Sequence, residues 1–311
     1  MSRLSIKTLI SDNREALSLT LLNDEGSDRV FLDGDDIKQS SRGLIGHLNL
    51  IHPNWLQIFS KTEAAYFLEL TVAEQEKQLN ELSSSSPLCI IISDGEKCPD
   101  SLHDLAVKKN IPVAFSTASS LQIIWVLRTY LGRALADHTT QHGVLLDVLG
   151  VGVLITGESG VGKSELALEL ISRGSGLVAD DVVELFHIGP KTLEGRSPEL
   201  LKDYLEVRGL GMLNIKTIFG ETAVRRRKNL KLIVKLERPD TSEDSASDRL
   251  PLHASNTTIL DVEIRTVTLP VAAGRNLAVL VEAAVRNYVL QLRGIDNTAE
   301  FIQRQEKHMR Q

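Results

Sequence analysis

Residues Gly157–Ser164, GESGVGKS, fit the phosphate-cradling pattern G-x-x-x-x-G-K-[ST] at every fixed position. Gly157, Gly160 and Gly162 let the backbone bend so that successive N–H groups point inward at phosphate oxygens, and a following helix adds its positive N-terminal end. Glu158, Ser159 and Val161 complete the loop. Lys163 supplies a flexible point charge for β- and γ-phosphates, and the Ser164 hydroxyl can ligate magnesium. The plainer alternative is a glycine-rich turn before an ordinary helix, and the flanks argue against it. Val151-Gly152-Val153-Leu154-Ile155 reads as a buried strand leading in. Lys163 to Arg173 reads as a helix leading out, with Leu166, Ala167, Leu170 and Ile171 on its core face and Gly174 as its stop.

Which use of a nucleotide this loop serves is narrowed by what is missing. The guanine-reading tetrapeptide N-K-x-D and the transporter signature Leu-Ser-Gly-Gly are both absent, which favours a kinase-like use with a dedicated base for an acceptor hydroxyl. Asp180-Asp181 ends an apolar run and offers a carboxylate as base or water-holder, although an adjacent acidic pair in a turn is ordinarily just solvated. Leu205-Glu206-Val207-Arg208-Gly209-Leu210-Gly211-Met212-Leu213-Asn214 suggests a backbone packed close to a ligand, with Glu206 available to magnesium; a plain strand and turn would read the same way. In Pro270-Val271-Ala272-Ala273-Gly274-Arg275, Pro and Gly shape a loop that aims Arg275 before a helix starts, and an exposed surface Arg is the bland alternative.

These groups need elements to hold them. Leu88–Ile92 and Ile111–Phe115 read as strands, Ser101–Lys109 and Ser119–Tyr130 as helices, and this alternation predicts a parallel α/β unit, preceded by a loop at Ser83–Pro87. Residues 131–142 turn polar and mark the expected boundary, giving an N-terminal domain over 1–130 and a C-terminal one over 131–311. Beyond the phosphate loop, strands are expected at Leu177–Ala179, Val182–Phe186, Leu230–Leu236 and Ile259–Leu269. A short helix is expected at Ser197–Tyr204, a polar loop at Asp240–Arg249, and helices at Asn276–Leu292 and Thr298–Met309.

A chain of 311 residues, 42% hydrophobic, can bury two cores. Cutting after residue 130 gives 12 basic against 17 acidic residues before and 23 against 24 after, so neither half has the composition of a nucleic-acid binder. The basic cluster Arg225-Arg226-Arg227-Lys228 could dock an acidic partner or a neighbouring subunit, with a solvated turn as the preferred reading. Cys89 and Cys98 are too few for a disulfide framework and form no C-x-x-C pair. With no apolar stretch of a signal peptide or membrane span, a soluble cytoplasmic protein without a membrane partner is expected.

The combination of His142, GESGVGKS, ADD, DYLEVRGLGMLNI and GRNLA closely resembles the HPr kinase/phosphorylase family, bifunctional enzymes acting on the phosphocarrier protein HPr. The resemblance spans the C-terminal half, with weaker matches at Ile111-Pro112-Val113 and from Tyr130-Leu131 to Leu135-Ala136. It implies an α/β protein of two domains: an N-terminal Rossmann-like α/β domain of uncertain role, and a C-terminal P-loop kinase domain related to phosphoenolpyruvate carboxykinase. The implied activity is ATP-dependent phosphorylation of a serine on HPr, and its reversal by inorganic phosphate with release of pyrophosphate. A small-molecule kinase or ATPase, or a nucleotide-sensing interaction module, is the alternative. The resemblance assigns His142, Lys163, Asp180, Asp181 and Arg249 to catalysis, with Asp181 as base and Asp180 beside it in support; His138 is left as a surface residue. It further implies Mg2+ on Ser164 and Glu206, the Leu205–Asn214 segment in both reactions, Pro270–Arg275 chiefly in dephosphorylation, and a homohexamer.

Overall fold

The computed structural model describes residues 3–23, 26–238, 254–272, 274–296, 300, 301 and 304. The chain divides into two compact units, Met1–Asp137 and His138–Gln311.

The first unit is built on a sheet ordered Thr20–Asn23, Val113–Phe115, Cys89–Ile92, Asn54–Phe59 and Gly43–His47, parallel except for the first strand, which runs antiparallel at one edge. Cys89–Ile92 is buried at every position, the pattern of a parallel strand covered on both faces. Leu56, Ile58 and Ile91 pack with Ile123, Leu127 and Leu131 of helix Ser120–Ala134. The opposite face packs Phe59, Ile90 and Ile92 against Phe67, Leu82 and Leu102 of helices Lys61–Glu69, Val72–Ser84 and Asp100–Lys109. Sheet and flanking helices form the expected α/β layer. The serine run differs from expectation: Ser83 and Ser84 are the last residues of a helix that opens with a capping box at Thr71 and Glu74.

The second unit centres on a nine-stranded sheet. Gly176–Ala179, Val144–Val148 and Val151–Gly157 lie side by side, and Val151–Gly157 then pairs in parallel with Lys228–Glu237. Lys228–Glu237 is parallel in turn to Val262–Pro270, while its first residues pair with Thr192–Arg196, which continues to Val182–Gly189 and His138–His142. One apolar core lies under helices Lys163–Ser172 and Leu277–Leu292, where Leu166 and Leu170 meet Ile155, Val234, Val281 and Val285. A second core on the other face includes Leu145, Leu185 and Ile233.

Three expected elements come out differently. Ile259–Leu269 is not one strand but the hairpin Ala254–Ile259 and Val262–Pro270, turned by Leu260 at φ 46° and Asp261 at φ 62°. Both turn residues are left-handed, as a tight hairpin requires, yet neither is glycine or asparagine, so the usual signal is missing. Ser197–Tyr204 holds only a short 3-10 turn, Glu199–Leu201, before strand Tyr204–Val207 begins. The polar stretch 131–142 holds the end of helix Ser120–Ala134 and all of strand His138–His142. Asp240–Arg249 and most of Thr298–Met309 lie outside the described residues.

The basic cluster is more than a solvated turn. Arg225 Nε and Lys228 Nζ both reach Asp147 Oδ2, at 3.2 and 3.0 Å, and Asp147 is only 11% exposed; Arg227 lies 3.8 Å from Glu194. Substituting Asp147→Ala leaves two cations without their shared counter-charge and is expected to cost about 1–3 kcal/mol, read as a lower urea midpoint at unchanged slope. An unshifted midpoint would show that the cluster is merely surface charge.

Candidate functional site

The phosphate loop is shaped by contacts at both ends. Gly157 pairs with Leu236 on the neighbouring strand and has φ 144°, and a Cβ there would lie 2.6 Å from the Leu236 carbonyl oxygen, so only glycine fits. Val161 is buried and its N–H donates to the Glu158 carbonyl at 3.3 Å. Gly162, left-handed at φ 101°, opens helix Lys163–Ser172, whose first turn takes no side-chain cap. Uncapped N–H groups at a helix start are natural partners for an anion. Lys163 is 9% exposed, and its Nζ donates to the carbonyls of Gly157 and Glu158, both at 2.9 Å. The ammonium is thus held over the loop that would carry the phosphates.

Strand pairing brings a second group to this loop. Asp180 and Asp181 form the link between Gly176–Ala179 and Val182–Gly189. The link is tight: Val182 N–H donates to the Asp180 carbonyl at 2.8 Å and Asp181 sits at φ 64°. Gly143 N–H donates to the Asp181 carbonyl at 3.2 Å, and Val182 pairs with His142. This register places His142 Nδ1 3.1 Å from Asp181 Oδ1, with both side chains more than half exposed. A contact so exposed adds little stability; what it fixes is orientation. His138, four residues earlier on the same strand, stacks on Phe186 instead.

The two aspartates differ sharply in surroundings. Asp180 is 6% exposed, and its Oδ2 accepts the Glu206 backbone N–H at 2.8 Å. Burial pushes its carboxyl above the ordinary Asp range; the Glu206 and Asp181 N–H groups pull it down, and the nearby Asp181 and Glu206 charges push it up again. Asp180 therefore ties the turn to the segment Leu205–Asn214. In that segment Tyr204–Val207 pairs with Gly211–Asn214, Leu205 and Val207 turn into the core, and Glu206 and Arg208 are exposed.

A cleft of about 440 Å³ gathers these groups, lined by His142, Gly143, Ser159, Gly160, Gly162, Lys163, Ser164, Glu165, Asp180, Asp181, Glu206 and Arg208. The expected residues His142, Lys163, Ser164, Asp180, Asp181 and Glu206 thus share one space. From the ten-residue segment only Glu206 and Arg208 line it, and Pro270, Val271, Ala272, Gly274 and Arg275 do not. Arg249 and Ala273 lie outside the described residues. Sequence reasoning missed Gly143 and Glu165, and it missed Arg238, whose Nη2 donates to the Gly160 carbonyl at 3.1 Å. Arg238 follows the carboxyl end of strand Lys228–Glu237, the edge where parallel sheets take ligands, and that position was the available signal.

Ser164, Glu206 and Asp180 offer hydroxyl and carboxylate oxygens, the donor set that suits magnesium. Among the described residues no three His, Cys, Asp or Glu side chains are grouped to hold a metal alone.

A family profile described as "HPr Serine kinase N terminus" matches residues 4–131, and one described as "HPr Serine kinase C-terminal domain" matches residues 133–305. An "HPr kinase/phosphorylase" of Nitrosomonas europaea is 57% identical over 309 residues, covering 99% of this chain and 96% of that protein. One from Chromobacterium violaceum is 51% identical over 311 residues, covering 100% and 97%. A solved structure titled "Structure of the Hpr(Ser) kinase/phosphatase from Coxiella burnetii" is 35% identical and covers 52% of this chain and 98% of its own, with a TM-score of 0.47.

Asp180's raised pKa means that ionising it costs the folded state, so this cost is absent in acid and grows as pH rises past the usual Asp value. Asp180→Asn keeps an acceptor for the Glu206 N–H without the charge. The variant is expected to melt higher than the parent at neutral pH, by about 2–4 °C per kcal/mol relieved, with the gap closing on acidification. A variant that melts lower at pH 7 would show that the ionised carboxylate stabilises the fold.

Proposed function

Because the chain belongs to the HPr kinase/phosphorylase family, we propose that the cleft of the second unit transfers the γ-phosphoryl of ATP to a serine hydroxyl of HPr and runs the reverse by phosphorolysis. The observation that supports this most is the meeting of the Asp181–His142 pair with Lys163, Ser164 and the loop glycines in one cleft. Backbone N–H groups of Gly160, Gly162 and the helix start grip the β-phosphate, and Lys163 turns from its two carbonyls to the β- and γ-oxygens. Asp181 accepts the seryl proton as the serine oxygen bonds to phosphorus and the bond to ADP breaks. His142 holds that carboxylate in line.

In reverse, inorganic phosphate attacks phosphoseryl-HPr, pyrophosphate forms, and Asp181 returns a proton to the departing serine oxygen. The loop that holds a β-phosphate holds attacking phosphate equally well, so one set of groups serves both directions. Ser164 and Glu206 would hold magnesium, which would supply charge neutralisation for the phosphates. Arg208, in the cleft, and Arg249, assigned by the resemblance, stabilise charge on the transferring group; losing one such contact typically costs about 10²–10³ in rate. Asp180 positions Glu206 through its backbone. The resemblance further implies a cytoplasmic homohexamer with the second units as catalytic domains. Among the described residues no helix is long and apolar enough to cross a membrane.

Incubating the purified protein with HPr and magnesium-ATP, then with phosphate, is expected to give phosphoseryl-HPr that reverts with release of pyrophosphate, read by mass spectrometry. ATP hydrolysis without modified HPr would favour a different phosphate-loop enzyme. Asp181→Asn is expected to lower both directions by about 10²–10⁴ with ATP binding retained; full kinase turnover would remove Asp181 as the base. Arg275→Ala is expected to impair dephosphorylation more than phosphorylation, and equal losses would count against that loop's separate role.

A further inference from the structure

The phosphate-loop helix and helix Leu277–Leu292 are joined by side chains as well as by their apolar seam. Asn276 uses both ends of its amide. Its Oδ1 accepts the Val279 N–H at 3.0 Å and closes the start of helix Leu277–Leu292, while its Nδ2 donates to Glu169 Oε1 at 3.1 Å. Further along, Arg173 Nε and Nη2 donate to the two carboxylate oxygens of Glu282, each at 2.8 Å.

Asn276 directly follows Arg275, so it also ends the loop Pro270–Arg275. That loop is tied at its start by Val271 N–H to the Glu237 carbonyl at 2.8 Å, and it closes on itself by Arg275 N–H to the Ala272 carbonyl at 3.3 Å. The one side-chain tether at its far end, among the described residues, is Asn276 to Glu169. Glu169 lies five residues beyond Ser164 on the same helix, about 7.5 Å along the axis.

We infer that Asn276 and Glu169 form a positioning pair that locks the Arg275 loop to the phosphate-loop helix and thereby supports phosphorolysis more than phosphorylation. The directional part rests on the proposed role of that loop. The residue choice fits two tasks at once. Serine or aspartate would cap helix Leu277–Leu292 as well as asparagine does, but serine is too short to reach Glu169 and aspartate offers it no donor. Asparagine caps with its oxygen and tethers with its nitrogen.

The test uses Glu169→Ala, which removes the tether and leaves the cap, and Glu169→Gln, which keeps an acceptor. Asn276→Asp keeps the cap and sets two carboxylates face to face, and the double variant Asn276→Asp/Glu169→Gln reverses the bond. Amide hydrogen exchange over residues 270–276 is measured by mass spectrometry on the full chain, beside kinase and phosphorolysis turnover with HPr and phosphoseryl-HPr. Glu169→Ala and Asn276→Asp are expected to speed exchange and to lower phosphorolysis kcat roughly fivefold beyond any kinase loss, the equivalent of one hydrogen bond. Glu169→Gln and the double variant are expected to behave like the parent.

Unchanged exchange in Glu169→Ala, failure of the reversed pair to restore, or equal losses in both directions would overturn the inference. A parent protein inactive on HPr in both directions would overturn the proposed function and the directional claim together. The tether itself would still stand or fall by hydrogen exchange, which needs no HPr.

Discussion

Parallel pairing of Val151–Gly157, Lys228–Glu237 and Val262–Pro270 constrains everything else in the second unit. Gly157 faces Leu236 and Glu237 faces Pro270, so these strands finish at one edge. The phosphate loop leaves from the first, Arg238 follows the second and the Arg275 loop follows the third. At Gly157 the backbone at φ 144° would aim a Cβ at the Leu236 carbonyl oxygen, 2.6 Å away, which leaves no room there for a side chain. Groups distant in sequence therefore reach one edge of the sheet through backbone hydrogen bonds, and Arg238 crosses from the end of its strand to the Gly160 carbonyl.

Antiparallel strands on the far side of Lys228–Glu237 deliver the acid. The two carboxylates at 180 and 181 have the same chemistry but different backbones. One is buried and holds the segment carrying Glu206; the other projects into the cleft beside His142. Environment, not residue type, separates a carboxylate that ties two segments together from one left exposed in the cleft. Asp180 also connects two parts of the cleft, since displacing its turn would displace Glu206.

What the sequence revealed and what it hid follow a physical line. The phosphate loop was legible because its glycines, lysine and serine act within a short stretch whose flanking strand and helix carry their own periodicity. The apolar stripe Leu166, Ala167, Leu170 and Ile171 is buried as its spacing predicts. Signals failed where a long-range partner decides the outcome. The turn at Leu260-Asp261 is imposed by pairing of its flanking strands, Ser83 and Ser84 extend a helix whose Leu79 and Leu82 are buried in the core, and Arg225 and Lys228 are claimed by an aspartate far back in the chain. Gly143 could not be picked out either, because the carbonyl that excludes a side chain there belongs to Ile155 on another strand. The resemblance supplied His142 as a site residue, but its pairing with the acidic turn comes from strand register, which spacing alone does not encode.

The left-handed backbone at Asp181 restricts what natural variation can place there. Glycine, asparagine and aspartate tolerate that conformation best, whereas β-branched and bulky residues are strained in it. Within this small alphabet only aspartate ionises. Glutamate has the same functional group but lacks the short side chain that makes aspartate tolerant of the turn. Conformation and the proposed proton transfer thus filter the position independently, and aspartate is the residue that meets both best.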